Sequence, residues 1–404
     1  MSRAKLLPLD NPVRDYAWGD TERLGALFGL QNPEGKPQAE IWMGAHPGAP
    51  SIARFPGGES EGESQRLDEL VAAAPQQVLG EHTSERFGGQ LPFLFKVLNA
   101  GQPLSIQLHP TKALAEAGFE REEAAGIPRD AAERNYVDAN HKPELIYALT
   151  PFRALCGFRP LNEIVTDLAR LQSTVLAEPL DSLTAGGDAE ALRDFCKWLL
   201  QLSQSEVNSM LSDALDAATH IDEPAFRELL SLHEYYPSDR GVLFGILLNI
   251  VELQPGESLF MAPGHLHSYL GGVGLEIMAS SDNVIRGGLT PKHVDCEELM
   301  RLATFEPLPP AELLVQPERR GAQTCYPTPV DDFALALVDV EGDGEICDIV
   351  SAEILFCVSG EVSVTSTGER VNLAAGEACL VCADAGGFTL GGSGQLARAA
   401  VAIP

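Results

Sequence analysis

The residues best able to do chemistry crowd into one stretch, Phe260 to Asp295 (FMAPGHLHSYLGGVGLEIMASSDNVIRGGLTPKHVD). His265 and His267 are two apart, so on an extended strand both point to one face. Glu276 follows in a strand-like L-E-I-M. Asp282, Asn283 and Arg286 sit in a polar run closed by two glycines, and Lys292 lies just past Pro291. Two shorter stretches add to the set. In PLSIQLHP (103–110), Gln107 and His109 share a strand face; in HKPELIYAL (141–149), Lys142 and Glu144 share one and His141 takes the other. Imidazole, carboxylate and amide oxygen together suit a borderline divalent ion, zinc first, with a position left for water or substrate. Gln107, His109, Glu144 and His267 are one candidate ligand set. Spacing alone prefers His265 to the glutamine, which is an unusual zinc ligand. The plain alternative is core histidines satisfied by hydrogen bonds, beside ordinary ion pairs.

Such residues need a frame of strands. The first hundred residues read as short strands and turns, with a Gly/Ser/Glu-rich loop at 51–66. LDELVAAAPQQVL (67–79) predicts a short amphipathic helix. QLPFLFKVLNA (90–100) predicts an apolar strand with one charge, Lys96, among buried neighbours. From Pro160 to about Tyr236 the apolar spacing becomes helical: Leu161, Ile164, Val165, Leu168 and Leu171, then Phe195, Trp198 and Leu199, then Val207, Met210 and Leu211. That predicts three to five helices. Past a linker-like 308–321, strands recur every eight to twelve residues between glycine turns, the pattern of a small barrel or jelly roll. VELQPGESLFMAPG (251–264) and VNLAAGEACLVCA (371–383) share one design of strand, Gly-Glu turn and strand, so two jelly rolls are expected. The class is mainly β with a helical insertion. The expected division is a catalytic roll from 1–155 and 240–310, a helical insertion at 156–239, and a second roll at 311–404 without metal ligands.

A chain of 404 residues holds two or three domains, each able to bury a core. Its formal charge of −30 argues against nucleic acid and anionic membrane as partners. An anionic substrate would need a local island of Lys and Arg. No apolar run reaches membrane-spanning length, and the first twenty residues lack a signal peptide's apolar core. Eight scattered cysteines, with one isolated C-x-x-C at 379–382, read as buried reduced thiols in a cytoplasmic protein.

QLHP, HKPEL and above all LHSYLGGVGLEIMASSDNVIRGGLTPKHVD resemble the signature of the type I mannose-6-phosphate isomerases, zinc-dependent enzymes of the cupin superfamily. NPVRDYAWG, AEIWMGAHP and LPFLFKVLNAGQPLSIQ resemble that family's N-terminal blocks, and the likeness covers about residues 8 to 300. It implies one zinc per chain on Gln107, His109, Glu144 and His267, with His265 where the family does not require histidine. It implies interconversion of mannose 6-phosphate and fructose 6-phosphate through a cis-enediol. A monomeric cytoplasmic protein of carbohydrate metabolism, on the route to GDP-mannose, goes with that reading. Arg286 matches the family's active-site arginine, and Lys142, beside a ligand, is expected to carry protons. Glu276 and Asp282 are expected in catalysis, or more plainly as groups that orient Arg286 and Lys142. Lys96, Lys292, Trp18 and Ser105 are expected on the substrate side, with Trp18 and Trp42 as walls. Two other readings stand beside it: a non-haem iron cupin oxygenase, whose facial triad uses the same ligand types, and a non-catalytic sugar-binding cupin.

Overall fold

The computed structural model describes residues 4–56, 62–342 and 344–402. Among these residues the chain is mainly β, with two antiparallel sheets and a helical stretch between parts of the first. The strand order of each sheet is open-ended, so neither closes into the barrel that the sequence predicts. The first sheet has ten strands, and its spine is the long strand His267–Ala279. Its first residues pair with Phe152–Phe158, and its second half lies between Phe93–Ala100 and Glu144–Ala148. The register shifts between Tyr269 and Gly271. Gly272 then takes φ +119°, and a Cβ there would meet the Pro151 oxygen at 2.7 Å. Only glycine lets the strand change partners at this point.

Alternation decides which residues face the site. Ile106 and Leu108 enter one apolar core together with Leu266, Leu270 and the helices, which leaves Gln107, His109, His267 and Tyr269 on the other face. The helices explain why that core exists. Five α-helices run between Leu161 and Tyr235. Ile164, Leu168, Phe195, Leu199, Val207, Met210 and Leu211 are buried among them, as their spacing predicts. Asp188 caps one helix, and Ser203 with Glu206 forms a capping box on the next. The single helix expected at 67–79 is two, Leu67–Ala73 and Pro75–Leu79, because proline begins a helix more readily than it continues one.

The second sheet has eleven strands, and the chain's start belongs to it. Leu6–Asp10 pairs with Ala378–Val381 on one side and Ile52–Arg54 on the other, whereas the sequence groups 1–155 with the first roll. Leu6 packs into one core and Leu7 and Leu9 into another, so LLPLD is buried on both faces and shows no alternation to read. The loop expected at 51–66 lies partly outside the described residues, and its flanks carry the strands Ile52–Arg54 and Ser64–Arg66. The two matching hairpin turns both place glycine in the left-handed region, Gly256 at φ +97° and Gly376 at φ +87°. All eight cysteines are thiols, six of them buried. Among the described residues no helix is long and apolar enough to cross a membrane.

Candidate metal centre

Three strand ends bring the candidate ligands together. His109 follows Ile106–Leu108, Glu144 opens Glu144–Ala148, and His267 opens the long strand. Gln107 lies opposite His267 on one side and Arg286 on the other. His109 Nε2 and His267 Nε2 each stand 3.4 Å from a Glu144 oxygen, one on Oε1 and one on Oε2. All three side chains are at most 2% exposed, and their ligand atoms lie within 4.8 Å of one another.

The hydrogen bonds behind the rings fix what those atoms are. His109 Nδ1 donates to the Asn283 main-chain oxygen at 2.7 Å, and His267 Nδ1 donates to the His265 main-chain oxygen at 3.0 Å. A carbonyl only accepts, so each Nδ1 carries a proton, and the Nδ1–H tautomer leaves its lone pair at Nε2. Burial first, then the charge on Lys142, pushes the His109 pKa down to about 4, which keeps that ring neutral. Burial would raise Glu144, but the charge on Lys142 works against it and the carboxyl is held well below the usual carboxylate range. Two lone pairs therefore face a carboxylate, three acceptors with no donor among them. Among the described residues, His109 Nε2, His267 Nε2 and Glu144 Oε2 are buried without a hydrogen-bond partner. Buried acceptors are costly unless something positive satisfies them, so the arrangement fits a divalent cation. His265 stands outside the cluster, with its Nδ1 against the Ala262 oxygen at 3.3 Å.

Around this centre the cations sort into two kinds. Lys142 Nζ is 2.6 Å from Glu144 Oε1, while His141 turns to the other side and meets Asp332 at 3.0 Å. Lys96 lies between Trp42 and Glu276 in register and bonds Glu276 at 2.9 Å, with Glu40 at 3.5 Å. Burial works against the Lys96 charge, but Glu276 and Glu40 outweigh it and hold its pKa above the usual range. Burial raises the Glu276 carboxyl. Arg286 and Lys292 are the second kind, because neither makes an ion pair among the described residues. Burial lowers the pKa of both, and the Arg286 charge lowers Lys292 further. An unpaired guanidinium beside an unpaired ammonium, on a protein of net charge −30, is a place for an anion.

Several expected residues have other partners. Glu276 holds Lys96 and Asp282 meets His46 Nε2 at 3.3 Å, so neither bonds Arg286 or Lys142. Gly48 N–H donates to His46 Nδ1, which leaves His46 Nε2–H to donate to Asp282. Trp18 packs on the apolar cluster that includes Tyr269 and stacks on Tyr16, and Ser105 is half-buried two residues ahead of Gln107. Trp42 donates to Glu40 at 2.7 Å and lies 5.3 Å under Lys96 Nζ. Sequence reasoning missed Glu40, His46 and Tyr269. Glu40 was within reach, since A-E-I-W places it on the strand face of Trp42. His46 had no periodic signal.

Comparison with known proteins gives the same picture at full length. The chain matches the family model "Phosphomannose isomerase type I, catalytic domain" over residues 6–161 and "Mannose-6-phosphate isomerase, cupin domain" over residues 322–401. It is 43% identical to a mannose-6-phosphate isomerase of Escherichia coli, covering 96% of this chain and 98% of that one. It is 34% identical to the Homo sapiens protein of the same name, covering 90% and 89%. A crystal structure of a zinc-bound mannose 6-phosphate isomerase matches with a TM-score of 0.93 and 42% identity over 99% of this chain and 100% of that one. With the likeness running from end to end in both sequence and fold, the chain belongs to the type I mannose-6-phosphate isomerases.

Proposed function

We propose that this chain interconverts mannose 6-phosphate and fructose 6-phosphate, with one zinc ion held by Gln107, His109, Glu144 and His267. The observation that carries the proposal is the buried trio of acceptors with no donor among them. Zinc takes imidazole and carboxylate readily, and a solved relative holds it. Bound there, the ion would polarise the oxygens on C1 and C2 of the sugar.

The chain's own residues do the rest. Isomerisation moves one proton between C1 and C2 and another between their oxygens. Lys142 Nζ, fixed by Glu144 at 2.6 Å, stands beside the centre and is the proton carrier in this reading. Arg286 and Lys292 take the anionic parts of the substrate, the phosphate and the charge that grows on the enediol oxygens. Glu276 keeps Lys96 in place at the back of the site, and Asp282, held by His46, faces the half-exposed rim. Trp18 and Ser105 flank the sugar. In this reading the protein is a monomeric enzyme. Reduced thiols support a cytoplasmic one, in carbohydrate metabolism leading to GDP-mannose.

A coupled assay on mannose 6-phosphate, with metal analysis of the same sample, tests the proposal. One divalent metal per chain with turnover is expected. Metal without turnover would leave a sugar-binding cupin, and iron with oxygen uptake would make it an oxygenase; family membership favours neither.

A further inference from the structure

Asn283 touches no reacting group, yet it spends more hydrogen bonds near the centre than any ligand does. It is fully buried. Its Oδ1 accepts from the main-chain N–H of Val137 at 2.8 Å and of Asp138 at 3.2 Å. Its Nδ2 donates to the main-chain oxygens of Asp138 and Asn140, both at 2.8 Å, and lies 3.3 Å from Asp138 Oδ1. An amide side chain has two donors and two lone pairs, and all four are used. Its own carbonyl accepts from His109 Nδ1.

The partner loop, 137–140, runs directly into Lys142 and Glu144. Asp138 laces the two loops from the other direction: its carboxylate accepts from Ser281 Oγ and from the main-chain N–H of Asp282 and Asn140. One residue therefore joins the segment that carries the proton carrier and a carboxylate ligand to the ring of a histidine ligand. A carbonyl on Nδ1 fixes the tautomer, aims the ring and strengthens Nε2 as a donor to metal.

We propose that Asn283 is a positioning residue that holds His109 and the Lys142–Glu144 segment in one frame, so that metal affinity depends on a side chain that is not a ligand. The inference rests on the metal reading of His109, Glu144 and His267. Its test is zinc affinity of the chelator-stripped protein, by competition with a chromophoric chelator, together with the visible spectrum of the cobalt(II) form. Asn283→Ala removes all of these side-chain bonds. Asn283→Asp keeps the shape and one acceptor but loses both donors, and it serves alone should the alanine variant not fold. Each is expected to weaken zinc binding by about 10–100-fold, the usual effect of losing such support, and to alter the cobalt spectrum. Asn99→Ala is the control. Asn99 is equally buried and bonds Asp20 and Gln38 carbonyls, so its loss should lower the melting temperature and leave zinc affinity alone. A folded Asn283→Asp protein with unchanged zinc affinity and cobalt spectrum overturns the proposal. A wild-type protein that binds no zinc overturns the metal reading instead.

Discussion

His267→Ala and His265→Ala should part company, although the two histidines are two residues apart. His267 supplies one of the three inward-facing donor atoms, and alanine removes it outright. Protein zinc sites of four ligands bind with about 10–16 kcal/mol, roughly 3 kcal/mol for each ligand. Losing one should therefore weaken zinc binding by about 10²–10³-fold and abolish turnover at ordinary metal levels. His265 contributes something different. It supports the His267 ring through its main-chain oxygen, which alanine keeps. Among the described residues its own ring bonds only the Ala262 oxygen, at 3.3 Å, so its removal should cost about 0.5–1.5 kcal/mol of stability and no metal. Zinc titration of stripped protein, with thermal melts of the metal-free forms, separates the two. Equal loss of zinc in both variants would refute this reasoning and return His265 to the ligand set.

Three further outcomes follow. Arg286→Ala should lower kcat by about 10²–10³-fold with metal content unchanged, as when one preorganised charge stabiliser is lost; full activity would make the residue structural. Turnover in D₂O should place some deuterium on carbon, and Lys142→Ala should slow both turnover and exchange, whereas normal exchange in that variant would put the base elsewhere. The metal-free protein should lose stability as pH falls. His109 has a pKa of about 4 folded against 6.5 unfolded, so between these values the unfolded chain binds the extra proton. Its contribution is whole above pH 6.5 and is lost toward pH 4, about 3 kcal/mol in all. Urea unfolding at both ends should show that slope, and His109→Gln should flatten it.

Alternation made much of the site legible. Gln107 with His109 fall on an inward face because Ile106 and Leu108 join the helices in one core, and Lys142 with Glu144 do so because Leu145 and Tyr147 pack into the core beside the second sheet. The same rule misjudged His265. The strand starts at His267, and His265 sits in the bend after Gly264 at φ +85°, where residues two apart share no face. Leu6–Asp10 hid its sheet for the opposite reason, being apolar on both faces. His46 with Asp282 and Asn283 with Val137 are contacts between loops far apart in sequence, and no periodicity records them. The metal and the sugar chemistry came from family motifs rather than spacing, which by itself left the plain reading of core histidines open. The trio of orphaned acceptors is the structural reason to set that reading aside.

The central claim is that one ion on the His109, Glu144 and His267 cluster makes this chain an isomerase. Stripping the protein with a chelator and titrating zinc back, while following fructose 6-phosphate formation from mannose 6-phosphate, tests it most directly. Activity should be absent at the start, rise in proportion to zinc and level off at one ion per chain. Full turnover by the stripped protein, or a zinc-saturated protein that forms no fructose 6-phosphate, would contradict the account.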